Sequence, residues 1–399
     1  ETAFSYSVDN SCSKECKFGE LLVYSDPDNS LFDQCCAVSC ECASLPPIPE
    51  GVIGRYSDMV VIDDIINISA YDSTYGDLVL LRYKVGDLTL IDVSYVDGVP
   101  QEAPIVANPD GVRFGIIESG TDVGKYTSIG VWKDAPRIAY YDIDNRQLKF
   151  AYFNSVDNNW FVSVVDDRPG NIGRYSSMFI DDSGIIHLTY SAHATHKLQP
   201  ESDSDSESAE TPLISGIFYA RSKNSIPKYK EDWQIIAVET ITSCNGSCAE
   251  NMRCVDVEST PTCLEISTDA TCESCDCTDS CVVVGEQSQC LPSLPNQIVK
   301  DADREIFGLT EGLGLFTSLN IYQDKPIVTY YDNIRKHLRL ALGEDEITSE
   351  SLTTFTSKKL QCEKDGSIGK HSSLSVSPEG TTVAIAFQGK NSDNLWLYI

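Results

Sequence analysis

The sequence predicts an all-β fold, a five-bladed β-propeller of four-stranded blades closed by its N-terminal strand, and three observations lead there. A five-residue signature recurs five times, as Gly54-Arg55-Tyr56-Ser57-Asp58, Gly124-Lys125-Tyr126-Thr127-Ser128, Gly173-Arg174-Tyr175-Ser176-Ser177, Gly314-Leu315-Phe316-Thr317-Ser318 and Gly369-Lys370-His371-Ser372-Ser373. Each copy runs into short apolar segments of strand length separated by polar turns. The last copy stops at Ile399, one strand short, and the stretch from Thr2 to Asp9 has the alternation of the missing strand. Fixed self-similarity marks a repeat architecture. Four strands per unit, repeated radially, make a propeller.

Residues 1–9 are expected to close the last blade, which removes a sheet edge whose unpaired backbone groups would otherwise recruit other chains. Residues 10–53 form a cysteine-rich insertion, 54–241 carry blades one to three, 242–296 form a second cysteine-rich insertion, and 297–399 carry blades four and five. Within a unit the first strand, such as Ile129-Gly130-Val131, leads through a turn such as Lys133-Asp134-Ala135-Pro136 into the second. That second strand ends in Tyr71-Asp72, Tyr141-Asp142 and Tyr331-Asp332 in three copies, and in Ser191-Ala192 and Phe387-Gln388 in the other two. Third strands cover Leu78 to Leu81, Leu148 to Tyr152, Ile217 to Ala220, Leu338 to Ala341 and Leu395 to Tyr398. Fourth strands cover Leu88 to Tyr95, Trp160 to Val165, Trp233 to Val238 and the more polar Leu352 to Leu360. Six blades, with a degenerate one in 10–53 or 100–123, is the alternative.

The signatures are unevenly spaced because of three insertions, 10–53, 98–123 and 242–296. All fall in the connection from a fourth strand to the next first strand. In a propeller that connection shares a face with the hairpin between strands two and three, so the insertions decorate one face. Function is displayed where loops grow, and this face is the expected working surface.

The 399 residues include 60 acidic and 30 basic side chains, a formal charge of −30, which excludes an ordinary nucleic-acid backbone binder. No apolar run reaches the length of a transmembrane helix. The chain opens at Glu1 without a leader, and is expected to be a processed product that is secreted or held at the cell surface.

The 16 cysteines support the same compartment. Clustered cysteines in an acidic, Ser- and Thr-rich chain read as disulfides rather than as zinc ligands. Cys12, Cys16, Cys35, Cys36, Cys40 and Cys42 are even in number and can pair among themselves. Cys244, Cys248, Cys254, Cys263, Cys272, Cys275, Cys277, Cys281 and Cys290 are odd, and Cys362, in the neighbouring blade connection, is a partner for the ninth.

The hydroxyl ring of Ser57, Thr127, Ser176, Thr317 and Ser372 starts the innermost strands and is expected to satisfy neighbouring backbone groups. The residues that end the second strands, Tyr71, Asp72, Tyr141, Asp142, Tyr331 and Asp332, are the ligand-binding candidates. An exposed Tyr can stack on a sugar or peptide while the carboxylate accepts hydroxyl bonds. The competing use is structural, with Asp capping the hairpin and Tyr packing between blades, and exposure decides between the two.

No catalytic residue and no metal are expected. A glycosidase needs two carboxylates across the scissile bond, and of the ten positions that close the signatures only Asp58 is acidic. His193 and His196 have no cysteine nearby in sequence to complete a zinc set. Calcium is the one cofactor the acidic clusters Asp26-Pro27-Asp28-Asn29, Asp142-Ile143-Asp144-Asn145 and Asp301-Ala302-Asp303-Arg304-Glu305 suggest, and none is a complete calcium loop. Asn67-Ile68-Ser69 and Asn245-Gly246-Ser247 match glycosylation acceptors, and residues 201–210 read as a solvated acidic loop.

The unit Gly-x-Tyr-Ser/Thr-Ser, an apolar strand, Ile-Ala-Tyr-Tyr-Asp, then Leu-Lys-Phe-Ala resembles the repeats of secreted bacterial β-propeller proteins with cysteine-rich segments, and the spacing of Cys244, Cys248, Cys254 and Cys263 is similar to those segments. The resemblance implies an extracellular location and carries no catalytic residue. The resulting expectation is a non-enzymatic propeller that binds a protein or glycan through its decorated face, or serves as a scaffold subunit of an extracellular assembly. A five-bladed glycoside hydrolase or a monomeric lectin is the alternative.

Overall fold

The computed structural model of the chain describes residues 51–99, 105–106, 116–117, 120–198, 213–244, 246, 248–298, 312–347, 354–361, 367–389 and 395–399. Blade one comprises β1 (Ile53–Ile62), β2 (Ile65–Asp72), β3 (Asp77–Lys84) and β4 (Leu90–Asp97). A two-residue ladder, β5 (Ile105–Val106) with β6 (Ile116–Ile117), lies in the connection that follows. Blade two comprises β7 (Val123–Trp132), β8 (Ala135–Asp142), β9 (Gln147–Asn154) and β10 (Asn159–Asp166). Blade three comprises β11 (Asn171–Ile180), β12 (Ile186–Thr195), β13 (Ile214–Ser222) and β14 (Trp233–Ile241). The second insertion holds two hairpins, β15 (Met252–Val257) with β16 (Thr260–Glu265), and β17 (Asp279–Val284) with β18 (Gln287–Pro292). Blade four comprises β19 (Leu315–Tyr322), β20 (Lys325–Asp332), β21 (His337–Gly343) and β22 (Phe355–Gln361), and blade five β23 (Lys370–Val376), β24 (Val383–Gln388) and β25 (Leu395–Tyr398).

Every blade is an antiparallel meander in sequence order, which is the predicted five-bladed, four-stranded arrangement. Blade five contributes three described strands. Its expected closing strand, 1–9, lies outside the described residues, as do the insertion 10–53, Cys362, the loop 201–210, and the acidic clusters at 26–29 and 301–305.

The core lies between blades. Phe150, Leu148 and Tyr152 of blade two pack with Leu188, Tyr190, Phe218 and Trp233 of blade three, and Leu78 and Leu80 of blade one pack with Ile138 and Tyr140 of blade two. Ile217 and Tyr219 meet Val328 and Tyr330 across the next junction, and Leu338 meets Leu374 and Phe387 across the last. Second strands are therefore covered on both faces: all ten residues of β12 are buried, and seven of eight in β8. This explains their run of apolar and aromatic residues in place of a clean two-residue alternation.

Four disulfides staple the second insertion, Cys244–Cys254, Cys248–Cys263, Cys272–Cys281 and Cys275–Cys290, and Cys277 is disulfide-bonded as well. The insertion has few buried apolar side chains, among them Val255 and Val282, so crosslinks replace a core. It leans on blade four: Arg335 Nε donates to the Ser293 carbonyl at 3.0 Å, and Lys359 pairs with Asp276. No helix among the described residues is long and apolar enough to cross a membrane.

Candidate functional site

The signature builds the axis of the ring. Register shifts in every first strand, between Arg55 and Asp58, Lys125 and Ser128, Arg174 and Ser177, Leu315 and Ser318, and Lys370 and Ser373, bulge out an aromatic residue and the hydroxyl after it. A bulge re-aims side chains that a regular ladder would send to alternate faces. The glycine has a separate reason. A Cβ on Gly124, Gly173 or Gly369 would meet the second residue of the preceding blade's third strand, Leu78, Leu148 or Leu338, at 2.8 Å from its Cα.

The bulged aromatics are Tyr56, Tyr126, Tyr175, Phe316 and His371, all left-handed with φ of 54°, 55°, 54°, 52° and 51°. They form a continuous arc around the axis. Ring centroids are 4.6 Å apart for Tyr56 and Tyr126, 4.4 Å for Tyr126 and Tyr175, 4.8 Å for Tyr175 and Phe316, and 4.1 Å for Phe316 and His371. With the five hydroxyl residues that follow them they line a cavity of about 520 Å³. Left-handed backbone is costly for bulky residues, on the order of 1–3 kcal/mol each, and asparagine or glycine would relieve it. Five aromatics held there is the feature of this molecule that asks for a functional reason.

The ring is uncharged at neutral pH. Burial pushes the Tyr175 phenol up to about 12, and burial together with the neighbouring Lys370 charge lowers the His371 imidazole below its ordinary value. First strands begin at the face shared by the insertions and the second-to-third-strand hairpins, so the aromatic mouth opens on the decorated face. The sequence shows this ring in the third position of each signature. What it conceals is the bulge that turns those side chains inward.

The hydroxyls latch blade to blade. Thr127 Oγ1 donates to the Tyr56 carbonyl at 2.7 Å, Ser176 Oγ to Tyr126 at 2.5 Å, Thr317 Oγ1 to Tyr175 at 2.5 Å and Ser372 Oγ to Phe316 at 2.9 Å. The last signature position accepts in return: Ile129 N donates to Asp58 Oδ2 at 2.9 Å, Met178 N to Ser128 Oγ at 2.9 Å, Leu319 N to Ser177 Oγ at 3.0 Å and Leu374 N to Ser318 Oγ at 2.9 Å. Asp58 also accepts from Met59 N at 2.9 Å. The lone acid of the signatures is thereby spent on backbone donors, and no carboxylate lines the axial cavity among the described residues.

Tyr71, Asp72, Tyr141, Asp142, Tyr331 and Asp332 lie at the same face and are 0–5% exposed. Each carboxylate caps its hairpin. Asp72 Oδ1 accepts from Thr74 N at 2.9 Å, Asp142 Oδ1 from Asn145 N at 2.9 Å, and Asp332 Oδ1 from Ile334 N at 2.9 Å and Arg335 N at 3.0 Å. Each phenol donates or accepts across a blade junction, Tyr71 to Asp122 at 2.9 Å, Tyr141 to Asn171 at 3.1 Å and Tyr331 with Ser367 at 2.5 Å. The six share the mouth's face, beneath its surface. In blade five Lys370 pairs with Gln388, as Lys125 does with Tyr141. The equivalent positions there are Gln388 and Gly389, one residue later than the Phe387-Gln388 expected from the sequence, since Ser373 pairs with Ala386 as Ser128 does with Ala139.

A second repeated constellation escaped the sequence. An acid near or at the end of a fourth strand receives the first Tyr of the next blade's second strand and a cation. Tyr140 donates to Asp97 at 2.7 Å beside Lys149, Tyr190 to Asp166 at 2.7 Å beside Arg168, and Tyr330 to Glu239 beside Arg339. All three phenols are fully buried. The acid and the tyrosine are far apart in the chain, which hides the pairing.

Among the described residues, the single group of three or more His, Cys, Asp or Glu side chains close enough to share an ion is Cys244, Cys248 and Cys263. These sulfurs are in disulfides. Within the remaining calcium candidate, Asp142 caps its own turn and Asp144 Oδ2 accepts from Asp122 N at 2.8 Å. The acceptor Asn67 is 3% exposed, and its Nδ2 donates to the Ile65 carbonyl at 3.2 Å.

The chain matches no protein-family model and no curated protein sequence. Solved structures similar to it include a thermostable family-43 glycoside hydrolase (11% identity, TM-score 0.37, covering 86% of this chain and 88% of that one). An α-L-arabinanase of Cellvibrio cellulosa in complex with arabinohexaose is similar at 10% identity and a TM-score of 0.36, covering 87% and 91%. A leech intramolecular trans-sialidase is similar at 10% identity and a TM-score of 0.36, covering 87% of this chain and 42% of that one. Likenesses this distant fix neither activity nor substrate. They do correct one expectation from the sequence, that the chain is not an enzyme: structures arranged like it include glycoside hydrolases, and absence of activity does not follow from the repeats.

Proposed function

We propose that the protein is an exported, carbohydrate-engaging propeller that holds its sugar in the axial mouth. The observation that carries this reading is the arc from Tyr56 through Tyr126, Tyr175 and Phe316 to His371, five neutral aromatic side chains held in a costly backbone conformation around one cavity. Planar apolar faces over a hydroxyl-lined floor suit a ligand with C–H faces and hydroxyl edges, and pockets of this kind combine aromatic walls with a few fixed polar groups. Four disulfides in the adjoining insertion suit an oxidising compartment.

Calorimetric titration with a panel of oligosaccharides tests the reading, with chromatography of the recovered sugar to read turnover. Tyr56→Ala and Phe316→Ala are expected to weaken binding by roughly three- to tenfold each, the value of an aromatic contact, with the circular dichroism spectrum unchanged. Unaltered affinity in both variants, or no heat with any sugar, overturns it. Shortened products would show that the protein turns its sugar over.

A further inference from the structure

The residue between the glycine and the aromatic of each signature is basic in four of five copies, Arg55, Lys125, Arg174 and Lys370, with Leu315 in the other. In a chain with 60 acids and 30 bases, four cations at one register position around one opening run against the overall sign. Their placement follows the preceding blade. Lys125 Nζ lies 5.6 Å from the Tyr71 ring centroid, the Arg174 guanidinium carbon 5.4 Å from Tyr141, and Lys370 Nζ 6.0 Å from Tyr331. Where blade three offers Ser191 in place of a tyrosine, the next signature carries Leu315. Cation–π contact thus holds three of the cations at the mouth. Lys125 Nζ is also 5.9 Å from the Tyr56 ring, a member of the axial arc.

We propose that the axial mouth selects a saccharide bearing a carboxylate, a uronate-containing oligosaccharide, whose ring lies on the aromatic arc and whose carboxylate is met by the basic collar, Lys125 and Lys370 foremost. This rests on the carbohydrate reading and narrows it. Arg55 is exposed and Lys125 and Lys370 are half-buried, so all three reach solvent, each one residue before a member of the arc that lines the cavity, while Arg174 is 5% exposed. Charges of one sign beside a concave, low-dielectric opening focus potential onto a ligand, and no carboxylate is among the described residues that line the cavity. The larger groove between blades one and two, about 670 Å³, offers no such sign: its Arg82 is paired with Asp92 at 2.5 Å and its Trp160 packs edge-on against Phe153 at 5.5 Å.

The experiment titrates the intact protein with trimers of galacturonate, glucuronate and mannuronate, with the methyl ester of each, and with neutral oligosaccharides. The ester keeps the sugar skeleton and removes the charge. At least one uronate is expected to bind tenfold or more tightly than its ester, to weaken as salt rises, and to lose tenfold or more in the double variant Lys125→Gln, Lys370→Gln while neutral-sugar affinity stays within twofold. If the collar serves only as a latch between blades, the variant lowers the unfolding midpoint and leaves the uronate preference intact, which refutes the proposal. Esters or neutral sugars binding as well as the uronates refute the acidic class and leave the carbohydrate reading standing. No binding of any sugar refutes both.

Discussion

Replacing Gly173 by alanine tests why each signature opens with glycine. The backbone there has φ 108°, and an added Cβ would sit 2.8 Å from both Leu148 Cα and Leu148 Cβ. Two costs follow. Side chains rarely adopt that backbone region, which is worth roughly 1–3 kcal/mol, and overlap with a buried backbone atom of the neighbouring blade adds about 1–3 kcal/mol because only blade separation relieves it. Gly54 separates the two. Its φ is 126°, and no described residue lies within 4 Å of its added Cβ, so Gly54→Ala carries the backbone cost alone. Urea unfolding of the two variants is expected to place Gly173→Ala about 1–3 kcal/mol below Gly54→Ala at equal slope. Equal losses, within about 0.5 kcal/mol, would refute the argument that close approach of the blades selects glycine here.

Three further outcomes follow from the junctions and the insertion. Tyr190→Phe removes the 2.7 Å bond to Asp166 while Arg168 still holds that carboxylate; a loss of about 1.5–3 kcal/mol in unfolding free energy is expected for a hydrogen bond to a charged group, and a neutral result would deny the triad a role. Burial pushes both the His187 and His337 imidazoles down to about 4, so the unfolded chain binds the extra protons. Stability is therefore fully present above pH 6.5 and falls toward pH 4, by roughly 3 kcal/mol for each histidine; a flat profile of unfolding free energy over that window, or one that His187→Gln fails to flatten, contradicts the assignment. Removing the Cys275–Cys290 bridge by Cys275→Ser with Cys290→Ser should cost about 3 kcal/mol locally. It should open 272–292 to protease with the propeller's unfolding midpoint held, and a shifted midpoint would show that the insertion is part of the cooperative unit.

Much of this architecture is legible in the chain because a propeller repeats it. Five signatures, alternating strands and a cysteine run that cannot build its own core specify blades, their order and a stapled insertion by local chemistry alone. The structural use of Ser57's counterparts is legible for the same reason, since hydroxyls beside a bulged backbone have donors and acceptors within reach.

Tertiary structure decided what those repeats present. Whether Tyr71, Tyr141 and Tyr331 reach solvent depends on the neighbouring blade, which covers them and engages their phenols, and a sequence carries no record of that packing. The direction of Tyr56, Tyr126, Tyr175, Phe316 and His371 depends on a register slip that appears only once two strands pair. The acid, tyrosine and cation of each junction come together across 24 to 91 residues of chain for the Asp166–Tyr190 and Tyr330–Glu239 pairs. By itself the sequence determined the blades and the residues at each turn of the ring. The axial arc of aromatics exists only after five blades place one side chain each at the same height on one axis, because no two of those aromatics are local in the chain.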